Sequence, residues 1–175
     1  MVQAYNFLAS WQLFPEKGTY ELGERPKSGI YKIEAIKDTK ELIVHHNWVS
    51  LENTAFASSY TINADGDLND FQNHDLADKV QALFADSVSF EIHFYKKGEV
   101  VLHIVHEIMP NGYLRVTQQG NREDGTAYTN AEMYHKQLSV LPYSASVSGA
   151  VIKATEEGVI KHKALTAMEE QTNMQ

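Results

Sequence analysis

Between Val88 and Gln137 apolar and polar residues alternate in strand-length runs, broken by two short glycine loops and one longer polar loop. Alternation of period two is the mark of a strand with one side buried. Lys96-Lys97-Gly98 and Pro110-Asn111-Gly112 each place glycine third, where a three-residue hairpin needs a left-handed residue after a type I turn. Proline at the head of the second loop presets φ for that turn. Counting outward from the first loop sets Tyr95 opposite Glu99, Phe94 opposite Val100, Ile92 opposite Leu102 and Phe90 opposite Ile104. Counting from the second sets Met109 opposite Tyr113, Ile108 opposite Leu114, His106 opposite Val116 and Ile104 opposite Gln118. One face then carries Phe90, Ile92, Phe94, Val100, Leu102, Ile104, His106, Ile108, Leu114, Val116 and Gln118. The other carries Ser89, Glu91, His93, Tyr95, Glu99, Val101, His103, Val105, Glu107, Arg115, Thr117 and Gln119, with Glu91 opposite His103 and Glu107 opposite Arg115. A slip of one residue would mix the two sets, so the pattern specifies the register.

The same alternation extends upstream. Residues 7–14 read as an opening strand. Ile30–Ile36 turns Tyr31 and Ile33 inward, Glu41–Val49 turns Leu42, Val44, His46 and Trp48 inward, and Ala55–Ile62 puts Phe56, Ser58, Tyr60 and Ile62 on one face. Asp75–Phe84 is ambiguous, since Leu76, Val80, Leu83 and Phe84 also fall at helical spacing. The strand reading is preferred because it sets Val80, Ala82 and Phe84 opposite Phe94, Ile92 and Phe90. Ala127–Gln137 closes the series, with Met133 beside Leu114, Ala131 beside Val116, Thr129 beside Gln118 and Glu132 beside Arg115. The expectation is an all-β antiparallel meander of about 9–10 strands, whose edges are best managed by closure into a barrel. Residues 1–138 form that barrel, and 139–175 form a C-terminal extension of mixed extended and short helical character.

Composition narrows the function. The chain has 175 residues, 43% of them hydrophobic and 22% charged, which suits one globular domain. A net charge of −8 without a basic stripe argues against nucleic acid as a partner. There is no cysteine, so neither a disulfide framework nor thiolate chemistry is available. The opening MVQAYNFLASWQLF lacks the basic and apolar regions of a signal peptide, and no apolar run reaches the length of a membrane span. These features lead to the expectation of a cytoplasmic protein that does not insert into a membrane.

The segment GEVVLHIVHEIMPNGYLRVTQQGNREDGTAYTNAEMYHKQ, from Gly98 to Gln137, resembles the last strands of uncharacterised bacterial lipocalin-like proteins, a calycin-type barrel family. The matching positions are Gly98, Gly112, Val116, Thr117, Gln118, Gly120, Gly125, Asn130, Tyr134 and Gln137. Trp11 and the strand from Gly29 to Glu34 are similar to the family's opening, so the likeness covers about residues 8–137. Asn111-Gly112 stands where that pattern has Asp-Gly, and His106 where it has arginine. The resemblance implies a lipocalin-like barrel, a fold that hosts carriers, haem proteins and a few enzymes.

Polar groups on an otherwise apolar face are the candidates for chemistry. With the rings and aliphatic chains around them, the expected ligand-binding set is Tyr31, His46, Trp48, Ser58, Tyr60, Phe90, Phe94, Ile104, His106, Gln118, Thr129 and Met133, with His135 on the same face. Mostly apolar walls with a few converging polar groups describe a small-molecule pocket. The competing reading is a filled core in which each polar group finds a neighbour. Eight histidines suggest metal or haem, but no HExxH or similar spacing is present, and His103 and His106 point to opposite faces. No metal and no cofactor are expected. Haem, which needs one axial histidine, is the minority alternative. There is no Gly-x-Ser-x-Gly elbow and no other catalytic motif. The reading is thus a binding or carrier protein for a small hydrophobic or amphipathic ligand, with homo-oligomerisation left open. Two alternatives stand beside it: a barrel isomerase, cyclase or lyase using His106 as base, and an interaction module built on the C-terminal extension.

Overall fold

The computed structural model describes residues 3–138. They form one antiparallel sheet of eleven strands, curled into a nearly closed barrel. The strands are β1 (Ser10–Leu13), β2 (Thr19–Tyr20), β3 (Ser28–Ala35), β4 (Glu41–Val49), β5 (Ala55–Asn63), β6 (Leu68–Asp70), β7 (Lys79–Phe84), β8 (Ser89–Lys96), β9 (Glu99–Ile108), β10 (Leu114–Asn121) and β11 (Ala127–Lys136). From one edge to the other the order is β5-β4-β3-β1-β11-β10-β9-β8-β7-β6, with β2 beside β11. The first strand is therefore wedged between β3 and the last, with Trp11 opposite both Tyr31 and Lys136. The extension expected from residue 139 lies outside the described residues. No described helix is long and apolar enough to cross a membrane.

The inward faces of β3, β4 and β7–β10 are those the alternation predicts. Ile33, Leu42, Val44, Val80, Ala82, Ile92, Phe94, Leu114 and Val116 are buried in a single core with Trp11 and Phe7. On the outer face Arg115 grips Glu107 through two nitrogens, at 2.7 and 2.9 Å. The second hairpin has the expected register, with His106 opposite Val116 and Ile104 opposite Gln118. Gly112 holds the left-handed position at φ 81°.

The first hairpin differs. Lys96 pairs with Glu99 and Tyr95 with Val100, which leaves a two-residue loop of Lys97 and Gly98. Both loop residues have positive φ, 52° and 84°, the signature of a type I′ turn whose twist matches the flanking strands. A bulge between Phe94 and Tyr95 then shifts the ladder again, so Phe94 meets Leu102, Ile92 meets Ile104 and Phe90 meets His106. Two shifts of one residue preserve the faces, because alternation has period two. Glu91 sits opposite Val105 instead of His103, and His93 takes the place opposite His103.

In β11 the expected register is off by one. Tyr134 pairs with Leu114, Met133 with Arg115, Glu132 with Val116 and Thr129 with Gln119. A one-residue slip inverts the strand, so Thr129, Met133 and His135 leave the interior while Glu132 and Tyr134 enter it. Tyr134 is fully buried and Glu132 nearly so.

Elsewhere the differences are local. The opening strand is confined to Ser10–Leu13, after a short 3-10 turn at Gln3–Asn6. Phe7 follows that turn and plugs one end of the core against Phe84 and Phe90. The ambiguous segment is a strand only over Lys79–Phe84, with Val80, Ala82 and Phe84 paired as expected. Leu76 lies 40% exposed on the loop before it. No backbone ladder joins β5 to β6 or β7. That seam is filled by side chains: Tyr60, Phe71 and Phe94 pack edge to face at 5.1–6.1 Å.

Candidate functional site

The interior polar groups fall into two linked clusters. In the first, β9 buries His106 completely. Its Nδ1 lies 3.1 Å from the Phe90 carbonyl, which can only accept, so Nδ1 carries the proton. Nε2 is then the acceptor, and the Tyr31 hydroxyl donates to it at 2.8 Å. Burial drives the imidazole pKa from 6.5 down to about 4, although the Phe90 carbonyl pulls the other way. His106 is thus neutral and fixed in one tautomer.

In the second cluster, Glu132 of β11 takes hydrogen bonds from two phenols. Tyr20 donates to Oε1 at 3.0 Å and Tyr134 donates to Oε2. His46 approaches both, with Nε2 3.5 Å from the Tyr134 hydroxyl and 3.9 Å from Oε2 of Glu132. Burial lowers the His46 pKa, while the Glu132 charge opposes the shift. Burial and then the Glu132 charge raise the pKa values of Tyr20 and Tyr134. These phenols stay protonated and act as donors.

Between the clusters and the seam beside β5 lies a cavity of ≈ 160 Å³. Tyr31, His46, Tyr60, Phe94, Ile104 and Gln118 line it, and Ser58, Asn73 and Leu76 form an exposed rim. The Tyr60 hydroxyl is buried without a hydrogen-bond partner among the described residues. Burial raises its pKa to about 12, and hydrogen bonding toward the neighbouring Tyr31 hydroxyl partly offsets that, although the two hydroxyls do not reach the geometry of a full hydrogen bond. A buried, unsatisfied hydroxyl costs about 1–3 kcal/mol, and this one belongs to a wall of the cavity. Two larger depressions are shallower. One of ≈ 270 Å³ lies by Ala4, Lys40 and Phe84. The other, ≈ 310 Å³, lies by Gly29, Trp48 and Phe56. Neither gathers a comparable set of buried polar groups.

Of the twelve residues read from the sequence, seven meet at this cavity: Tyr31, His46, Ser58, Tyr60, Phe94, Ile104 and Gln118. His106 and Phe90 sit deeper, behind Tyr31. Trp48 stacks on the exposed Phe56 at 5.1 Å, over a different depression. Thr129 and Met133 are on the outer face, through the register of β11. Sequence reasoning missed Tyr20, Phe71, Asn73, Glu132 and Tyr134. The i, i+2 spacing of Glu132 and Tyr134 was a usable signal, since it puts both on one face; a two-residue strand carrying Tyr20 leaves none.

No protein-family model matches the chain, and no curated protein matches it significantly.

Proposed function

We propose that the protein binds a small neutral molecule inside its barrel, in the cavity walled by Tyr31, His46, Tyr60, Phe94, Ile104 and Gln118. The observation that carries this reading is the Tyr60 hydroxyl, buried on the cavity wall and unpartnered among the described residues. A ligand carbonyl or hydroxyl oxygen accepting from Tyr60 relieves that cost, while its apolar part packs on Phe94 and Ile104. A dry cavity of about 150 Å³ takes a benzene-sized guest, so ≈ 160 Å³ suits a ring of about six to eight non-hydrogen atoms. The negative Glu132 nearby disfavours an anion. The likeness to lipocalin-like barrels agrees with an interior ligand. The rival reading, with His106 as general base, needs a ring nitrogen free to take a proton, and both are engaged.

Cyclohexanone and methylcyclohexane have nearly the same shape, but only the ketone offers an acceptor. NMR titration of the wild type should show the ketone binding about tenfold tighter, the worth of one added hydrogen bond. Resonances of Gln118 and Ile104 should shift. In Tyr60→Phe that preference should fall to about twofold or less, while the unliganded variant gains about 1 kcal/mol of stability. Failure of both probes to shift these resonances at millimolar concentration would sink the proposal.

A further inference from the structure

On the outer face of the sheet, away from the cavity, the bulged register of the first hairpin creates a second constellation. His93 and His103 are direct partners across β8 and β9. Glu91 lies two residues before His93 and so shares its face. One ligand atom from each residue falls within 4.8 Å of the other two. Nε2 of His103 is 3.0 Å from Oε2 of Glu91, and Nε2 of His93 is 3.8 Å from the same oxygen. Gln119, the β10 partner of His103, closes the row with Oε1 3.3 Å from Nδ1 of His103.

Two further features separate this cluster from an ordinary surface pair. Nδ1 of His93 is buried with no hydrogen-bond partner among the described residues, so the ring keeps unspent donor or acceptor capacity in a half-buried site. The two imidazoles also stack, with centroids 4.0 Å apart and planes at 12°, an arrangement that penalises protonation of both. Consistent with this, burial and the neighbouring His103 lower the pKa of His93 while Glu91 opposes the shift. No lysine or arginine pairs with Glu91 among the described residues; its charged contacts are these two histidines.

We infer that Glu91, His93 and His103 form a binding site for a divalent transition metal of the zinc type, on the outer face of the β8–β9 hairpin. Two imidazoles and one carboxylate are the donor set that holds zinc with a position left open for water or another ligand. Tetrahedral bonds of about 2.0–2.2 Å require the three atoms to draw closer than they stand. Parallel rings cannot both point a lone pair at one ion. Binding therefore swings one imidazole about χ2 and breaks the stack, while the paired strands hold the three Cα positions. The bound ion cross-links β8 to β9.

The test uses the full chain, chelator-treated and then titrated with Zn²⁺ against a competing chelator. The expected result is one equivalent bound with micromolar affinity or tighter. His93→Gln and His103→Gln should each weaken binding by about a hundredfold or more, and His45→Gln and His135→Gln should leave it unchanged. Circular dichroism checks that each variant keeps its sheet. Substitution of Co²⁺ in the wild type supplies a readout independent of the variants: the His93 and His103 ring resonances should broaden first. An affinity weaker than millimolar overturns the inference. So does an affinity that neither substitution moves, or Co²⁺ broadening centred on other histidines.

Discussion

His106 offers the most direct check on the interior. In the unfolded chain its pKa is near 6.5, whereas burial holds it at about 4 in the fold. Between those values the unfolded state binds more protons, so stability rises with pH across that window and falls as the solution is acidified. That depression corresponds to about 3 kcal/mol, most of which should be lost by about pH 4.5. His106→Gln keeps an acceptor for Tyr31 and a donor for the Phe90 carbonyl but cannot titrate. It should cost about 1–3 kcal/mol near pH 7.5, where imperfect hydrogen bonding is its main penalty. Near pH 4.5 that deficit should shrink by about 2–3 kcal/mol, because only the wild type suffers the titration. Urea unfolding followed by tryptophan fluorescence, on both proteins at several pH values, measures the difference. Contributions from His46, His93 and the carboxylates are common to both and cancel. A deficit constant to within about 0.5 kcal/mol over this range would show that His106 titrates alike in both states and refute the argument.

Lys97 adopts φ 52° in the type I′ turn, a conformation that costs a side-chain-bearing residue about 1 kcal/mol and asparagine less. Lys97→Asn should therefore raise the urea midpoint by the equivalent of about 0.5–1 kcal/mol with an unchanged slope. Tyr20→Phe removes the hydroxyl that donates to Glu132. It should cost about 1.5–3 kcal/mol, as expected for a hydrogen bond to a charged acceptor; a loss below about 0.5 kcal/mol would mean that Tyr134 alone satisfies the carboxylate.

What could be read from the chain depended on whether a residue's chemistry agreed with its place. Pro110-Asn111-Gly112 offers the turn residues its loop demands, and the second hairpin followed from it residue by residue. Lys97 is a poor advertisement for a type I′ turn, so the first loop read one residue too long. The bulge at Phe94–Tyr95 compensated for the faces, though not for the pairing partners. In β11, Thr129 and Met133 look like core residues and Glu132 looks like surface. The fold inverts this because Tyr20, Tyr134 and His46 together house the carboxylate, and that arrangement spans three distant segments. Most of the cavity wall was legible because Tyr31, His46, Tyr60, Phe94, Ile104 and Gln118 lie on faces that the alternation identified despite the bulge in the β8–β9 ladder. The Glu91–His93–His103 cluster was only half visible: its members shared a face in the pattern, but the rung that makes His93 and His103 neighbours exists only after the bulge.

The wedging of β1 between β3 and β11 orders the events of synthesis. Hairpins such as β8–β9 and β9–β10 pair as soon as they emerge, because their partners are adjacent in the chain. The outer side of β1 has no mate until β11 arrives, and that contact must close nearly the whole described chain into one loop. Until then a nascent chain displays two incomplete edges, one on β1 and one on β10, each able to recruit a foreign strand. Ribosomal pausing before Ala127 would prolong that exposure, and completion of β11 ends it by covering both edges at once.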